Sequence, residues 1–483
     1  MGHDCVMAAA KTSSISPLDR NASEPFFKQI YGRLRSAIAS GVLKPGDRIP
    51  SARALMKELG LSRGTIEAAY GLLAAEGYIQ ARGQAGTIVT PDLKLAAPAL
   101  ASPPPRKEPE DEAPPSFRPD TTLPFQMGLP ALDAFPRKIW ARLGARCVRA
   151  MQPADMAHPS VCGLPSLRTE IAAYLNIARG VNCVPSQVFV TAGYRQTIGL
   201  IGRALLKPGD RVWLEDPGYP PTREMLKHMG IEGLAVPVDR DGIDVSEGLR
   251  LAPWARAAVV TPAHQSPLGV SLSLARRLAL LDWAARHQAW IVEDDYDGEY
   301  RYASRPLPAL KSLDREGRVL YAGTFSKVLF PGLRLAYLVV PEALVERFEQ
   351  ISQALAAGSP QLTQAILTAF ITEGHFARHI QRMRKLYARR RADAVAGLES
   401  VLGRQARIDA QPGGMHLILR LKGTRSDRKL VASMLKAGLY GEALSDWQID
   451  SADGGASAVL LGFTNIDSRR TAERLARQIL SLM

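Results

Sequence analysis

The stretch AGTFSKVLFPGLRLAY, residues 322–337, sets Lys327 before a Pro-Gly turn and places Arg334 seven residues later. Upstream, the run VEDDYDGEYRY brings Asp294 and Tyr296, and Lys327 follows Tyr296 by 31 residues. A free lysine, with a pKa near ~10.4, is protonated at neutral pH and is a poor nucleophile. In a partly buried cleft beside other cations its neutral amine becomes accessible and can condense with an aldehyde. Pyridoxal 5′-phosphate (PLP) is the common aldehyde cofactor held this way. It needs a carboxylate on its pyridinium nitrogen and a cationic, donor-rich cup for its phosphate. Asp294 is the candidate carboxylate, and Tyr296, on the same strand face, the candidate donor to the phenolic oxygen. The cup candidates are Thr324, Arg334 and the amides of Gly193, Tyr194 and Arg195, which open a helix after a strand. Tyr219, in EDPGY, is placed to stack on the ring.

The elements that must position these groups are short apolar runs alternating with helical segments. VFVT (188–191), RVWLE (211–215), AAVVT (257–261), AWIVE (289–293), VLYAG (319–323) and LAYLVV (335–340) read as strands. Such alternation predicts a mainly parallel sheet covered on both faces. Ligands on such sheets bind at the carboxyl ends of strands. The polar clusters TAGYRQ, EDPGY, TPAHQSPLG, EDDYDGEY and TFSK all fall there. The acidic run by itself also fits an exposed loop or a metal site, but it closes an apolar strand and has no histidine close in sequence. No metal is expected.

The chain has 483 residues, too many for one ordinary core. Nine of the thirty residues 91–120 are proline, which predicts an extended linker. It separates a head, 22–90, from a body, 121–483. In the head, Phe27, Ile30, Leu34 and Ile38 fall at helical spacing, Ser51 precedes a second helix and Ser62 a third. YIQARGQAGTIVT reads as two strands around a turn. Three helices and a hairpin make a winged helix-turn-helix, whose second turn helix starts with Ser62, Arg63 and Thr65. That end suits a major groove and phosphate contacts. Arg48, Ser51, Arg53 and Arg82 are candidates for flanking contacts, and Gly86 for close approach of the wing. A helical docking domain with ordinary exposed arginines fits the same periodicity.

Net charge is +14, but residues 1–100 carry 12 basic and 8 acidic side chains and residues 121–483 carry 46 and 34. Total charge therefore does not locate a DNA site. No run approaches the ~20 apolar residues of a membrane span, and the first twenty residues do not read as a signal peptide. Cys5, Cys147, Cys162 and Cys183 form no C-x-x-C pair, which predicts reduced thiols and a cytoplasmic protein.

GDRIPSARALMKELGLSRGTIEAAYGLLAAEGYIQARGQAGTIV resembles the GntR-type winged helix-turn-helix. The body, through FPRKIWARL, GLPSLRTEIAAYL, EDPGY, TPAHQSPLG, VEDDYDGEYRY, TFSKVLFPGLRLAY and HIQRMRKLYARRR, resembles fold-type-I, aspartate-aminotransferase-like proteins. Head, linker and body together resemble the MocR-type regulators. The resemblance implies a multidomain chain, an α+β winged head on an α/β aminotransferase-like body. It also implies a PLP Schiff base on Lys327, with Asp294 on the pyridinium, Tyr296 on the phenolic oxygen and Arg334 on the phosphate. Operator DNA and a head-to-tail homodimer follow as expected partners.

Three segments depart from the family pattern. HPSVCG, with His158, replaces a Tyr-Gly-Asp-Pro run. Arg195 stands where a neutral amide is common. GGASAVLLGFT (454–464) lacks the arginine that in aminotransferases forks the substrate α-carboxylate, and Ser457 or Ala458 takes its place. The reading is a PLP-binding, DNA-binding transcriptional regulator that senses PLP or an amine or amino acid, without physiological catalysis. The competing readings are a working aminotransferase with an accessory head and an inert dimerisation scaffold.

Overall fold

The computed structural model describes residues 18–20, 22, 24–83, 86–93, 122–302, 308–356, 358–411, 413–449 and 457–483. The proline-rich linker expected at 91–120 lies outside these residues from position 94 onward. The chain divides into two compact units, Met1–Ser116 and Phe117–Met483.

The first unit holds helices α1 (Phe26–Ala39), α2 (Ala52–Leu59) and α3 (Arg63–Ala75). Their inward faces bury Ile30, Leu34, Ile38, Leu55, Ile66, Ala69 and Leu73. Serine hydroxyls start both turn helices. Ser51 accepts from the Ala54 amide at 3.2 Å and Ser62 from the Thr65 amide at 3.3 Å, each satisfying a donor the helix leaves unpaired. The wing strands are β2 (Ile79–Ala81) and β3 (Thr87–Val89), and a short β1 (Arg48–Ile49) joins them in the order β1-β3-β2. A two-residue strand has no period to read, so β1 is invisible in the sequence.

The second unit is built on an eight-stranded sheet: β4 (Val188–Thr191), β5 (Arg211–Asp216), β6 (Glu232–Asp239), β7 (Gly242–Ile243), β8 (Ala257–Val260), β9 (Trp290–Asp295), β10 (Val319–Thr324) and β11 (Ala336–Val339). Their spatial order is β4-β11-β10-β9-β8-β5-β6-β7. The run β10-β9-β8-β5-β6 is parallel, whereas β11 is antiparallel to both β10 and β4. Strands β4, β8 and β11 are buried along their whole length, as sheets covered on both faces require. The antiparallel strand matters for the site. A parallel neighbour would need a long crossover, but an antiparallel one can return directly from the same end. The segment 325–335 between β10 and β11 therefore stays at the carboxyl edge, with Lys327 and Arg334 on it.

A smaller antiparallel sheet, β12 (Ala406–Asp409), β13 (His416–Leu421), β14 (Glu442–Ala443) and β15 (Ala458–Gly462), runs in the order β12-β13-β15-β14. Its core joins Leu417, Leu419, Val459 and Leu461 to Tyr387 and Leu398 of the 28-residue helix His375–Leu402. Among the described residues no helix is long and apolar enough to cross a membrane.

Candidate cofactor site and DNA-binding head

One cavity of about 290 Å³ opens at the carboxyl edge of the large sheet. All five strand ends singled out in the sequence reach it. Gly193, Tyr194 and Arg195 come from the end of β4, Tyr219 follows β5, and Ser266 follows β8. Asp294, Tyr296 and Asp297 come from the end of β9, and Thr324, Ser326, Lys327 and Arg334 from β10 and the segment after it.

The Lys327 Nζ donates to the Gly128 carbonyl at 3.1 Å. Gly128 has φ +65°, which favours glycine, and a Cβ there would sit 2.0 Å from that nitrogen and displace it. Burial pulls the lysine below its ordinary pKa, against the carboxylates of Glu442, Asp297 and Asp294, which hold it up. Burial pushes Asp294 well above the usual carboxylate range, and Asp295, Glu215 and Asp297 add to the shift. A cation brought against Asp294 relieves that cost.

Tyr296 and Asp297 share His264. Its Nδ1 lies 2.9 Å from the Tyr296 hydroxyl and 3.2 Å from Asp297 Oδ1. Asp297 is 1% exposed, and neither of its oxygens has a hydrogen-bond partner among the described residues. At the cup, β11 pairs Ala336 with Thr191 of β4, which carries Arg334 towards Gly193. Gly193 has φ +119°, and a Cβ on it would meet the Arg334 guanidinium at 3.4 Å. Arg334 itself adopts φ +51°, a strained conformation for a non-glycine residue. The Tyr219 ring lies 5.5 Å from that of Tyr194 and 5.6 Å from that of Trp447.

The donor set fits PLP. Carboxylates would hold a ring nitrogen that takes a proton, hydroxyls a phenolic oxygen, and an arginine with the amides opening helix Tyr194–Leu205 a phosphate. Among the described residues no group of three or more His, Cys, Asp or Glu side chains is arranged to hold a metal ion.

The structure adds residues that sequence reasoning passed over: Met127, Gly128, Ser266, Asp297, Ser326, His416, Glu442 and Trp447. Ser266 and Asp297 sat inside clusters already recognised. Gly128 lies more than three hundred positions from Glu442 and Trp447, and only the folded chain joins them. Arg195 lines the cavity, but its guanidinium pairs with Glu224 at 2.9 Å and is half exposed.

At Ser457 and Ala458, the two candidates for the place of the missing arginine, the structure shows a polar lock. Ser457 Oγ accepts from the Asp427 amide at 2.8 Å, while the Asp427 carboxylate accepts from the Ser445 and Ala458 amides. Arg223, a conceivable substitute, donates to the Gln448 carbonyl at 3.0 Å. In segment 378–391, Arg384, Arg390 and Arg391 bind Glu299, Asp133 and Ala410, and none lines the cavity.

In the head, Arg48, Ser51, Arg53, Ser62, Arg63, Arg82 and Gly86 are exposed and Thr65 is half-buried. The Ser62 hydroxyl also bonds the Thr65 hydroxyl at 2.8 Å, so both are engaged in the cap. Arg63 Nε donates to Glu67 at 2.7 Å, an exposed ion pair of the weak kind that a base edge can replace. The Arg82 amide donates to Gly86 at 2.8 Å, closing the wing turn.

Residues 26–89 match the family of bacterial regulatory proteins, gntR family, and residues 135–447 match aminotransferase class I and II. The chain is 38% identical over 469 residues to the probable rhizopine catabolism regulatory protein MocR of Rhizobium meliloti, covering 94% of this chain and 93% of that one. It is 34% identical over 461 residues to the HTH-type pyridoxine biosynthesis transcriptional regulator PdxR of Corynebacterium glutamicum, with 93% and 95% covered. Among solved structures, an archaeal alanine:glyoxylate aminotransferase superposes with a TM-score of 0.68 at 25% identity, over 75% of this chain and 91% of that chain. A winged head of gntR type, an aminotransferase-like body and near full-length similarity to such regulators make one conclusion: this chain belongs to the MocR-type DNA-binding transcriptional regulators.

Proposed function

We propose that the protein is a cytoplasmic regulator whose body binds PLP on Lys327 and whose head binds operator DNA, with PLP occupancy itself as the signal. The observation that carries this reading is the convergence of Lys327, Asp294, Tyr296 and Arg334 on one cavity, in a chain whose segment 454–464 lacks the carboxylate-fork arginine. The name of the pyridoxine-linked relative supports it. When bound, PLP supplies an aldehyde for the lysine amine. Arg334, Thr324, Ser326 and the amides from Gly193 to Arg195 hold its phosphate. Asp294 holds the proton of its ring nitrogen. Tyr296, positioned by His264, and Ser266 hold its phenolic oxygen, and Tyr219 covers its ring.

Without an arginine for an α-carboxylate, an amino acid is not held for transamination, so the site keeps the cofactor and gives up turnover. A head-to-tail homodimer, with linkers spanning 91–120, presents two heads to paired half-sites and gains avidity when the spacing matches. PLP shifts operator binding only by favouring one arrangement of the heads over another.

The test is operator affinity of PLP-free protein, PLP-loaded protein, and PLP-loaded protein with an amino-acid panel. The expected result is a several-fold change on adding PLP alone. No change with PLP, and a several-fold change with one amino acid, makes PLP a fixed prosthetic group and rejects the assignment.

Arg63 opens helix α3 and is exposed at its N-terminal end. Arg63→Ala is expected to weaken specific operator binding roughly ten- to hundredfold if Arg63 reads a base. Equal weakening on operator and random DNA assigns it to a phosphate instead. Unchanged binding to both removes the helix from the groove.

A further inference from the structure

Glu442 is a carboxylate in the same cavity that the cofactor reading does not use. It stands on β14, facing the cavity with Lys327, Met127, Gly128 and Trp447. Two side chains fix it. The Tyr440 hydroxyl donates to Oε1 at 3.0 Å, and the Trp447 indole donates to Oε2 at 3.1 Å. A carboxylate offers about four acceptor positions, so each oxygen retains one. Lys327 does not take them, since its Nζ donates to Gly128. Yet Glu442 is the charged group that acts most strongly on Lys327, ahead of Asp297 and Asp294.

The other cations of the cavity are Arg334, which the cofactor's phosphate would take, and Arg195. Arg334 lies against Gly193, Arg195 pairs with Glu224, and His416 donates from Nε2 to the Pro267 carbonyl at 2.7 Å. Burial lowers His416 to about 4, which keeps it neutral. With Arg334 on the cofactor's phosphate, no described cation of the cavity is left for an incoming carboxylate, and Glu442 repels it. The same wall attracts an ammonium, because burial pushes Glu442 above the usual carboxylate range and a cation relieves that cost.

We propose that the space beside Lys327 takes a primary amine that carries a second cationic group and no α-carboxylate, an aliphatic diamine, with Glu442 accepting its far ammonium. This adds a ligand to the cavity beside the cofactor of the proposed function and rests on that reading. The ligand then differs in charge from the amino acids that aminotransferases of this fold handle. Its amine end lies towards Lys327, and its ammonium end lies between Tyr440 and Trp447 on the carboxylate they orient.

Calorimetric titration of the full-length protein, with and without PLP, tests this with four probes: 1,4-diaminobutane, 1-aminobutane, 4-aminobutanoate and L-alanine. The expected result is that the diamine binds about tenfold or more tighter than each of the other three. Glu442→Gln is expected to collapse that preference to within about threefold, and Glu442→Asp to retain part of it. Equal affinity for the diamine and 1-aminobutane overturns the proposal. So does tighter binding of either carboxylate ligand, or a diamine preference that survives in Glu442→Gln. The ranking on the wild-type protein decides the question even if a variant fails to fold. A protein that takes up no PLP removes the cofactor reading alone, because the preference for the diamine over 1-aminobutane is also read on the PLP-free protein.

Discussion

Lys327→Ala is expected to abolish the visible absorbance band that PLP gives with the wild-type protein. Among the described residues Lys327 is the one lysine lining the cavity, and its amine is held on the Gly128 carbonyl. Burial lowers its pKa, so the neutral form needed to meet an aldehyde is reached at lower pH than for a solvated lysine. Alanine removes the amine and leaves Asp294, Tyr296 and Arg334 in place, so the variant is expected to bind PLP weakly and without the band. Equilibrium titration followed by dialysis separates the two outcomes. A band of wild-type intensity in the variant places the reactive amine elsewhere and rejects the assignment of Lys327.

Arg179→Ala is expected to destabilise the body by about 3–5 kcal/mol, the cost of leaving one member of a buried ion pair alone. Arg179 is 2% exposed, and its guanidinium pairs with Asp295, the residue after Asp294. Its other amino group donates to the Gly298 carbonyl at 3.3 Å, and the Tyr321 hydroxyl donates to Asp295 at 2.5 Å. This network holds the end of β9 from behind.

The deficit is expected to depend on pH, with a definite sign. Burial pushes Glu299 up to about 7, the neighbouring Asp295 adds to that, and Arg179 opposes it. Removing Arg179 raises the folded-state value further. A carboxylate with a raised folded pKa contributes stability that is present below its unfolded value, about 4.5, and lost as pH rises through the folded value. The variant's deficit is therefore expected to be larger at pH 8 than at pH 5. Urea unfolding at both pH values measures it. A loss under about 1 kcal/mol, or a deficit that shrinks with rising pH, contradicts the role given to Arg179.

What the sequence discloses about this chain follows from how local each signal is. Ser51 and Ser62 were legible as caps because a cap is decided within four residues. The strands β4, β5, β8, β9, β10 and β11 were legible because a buried parallel sheet demands unbroken apolar runs. Strand β6 was not, since EGLAVPVD begins with a charged residue and a glycine and carries Pro237. LAYLVV was legible as a strand, but nothing in its composition gives direction, and its antiparallel setting emerges only from the pairing with β4 and β10.

The same holds for the site. Asp294, Tyr296 and Lys327 stand out because their residue types and spacing suit one chemistry. Glu442 does not, because a glutamate in GLYGEALSDW is an ordinary surface residue until the smaller sheet sets it opposite Lys327. The absent arginine was readable as an absence, whereas the Ser457–Asp427–Ser445 lock at the candidate position required the folded smaller sheet.

The central claim is that Lys327 holds PLP in this cavity. Loading the wild-type protein with PLP, reducing with borohydride and mapping the peptides by mass tests it most directly. The expected result is the cofactor's added mass on the peptide containing Lys327 and on no other. An unmodified Lys327 peptide, or the mass on a different lysine, contradicts it.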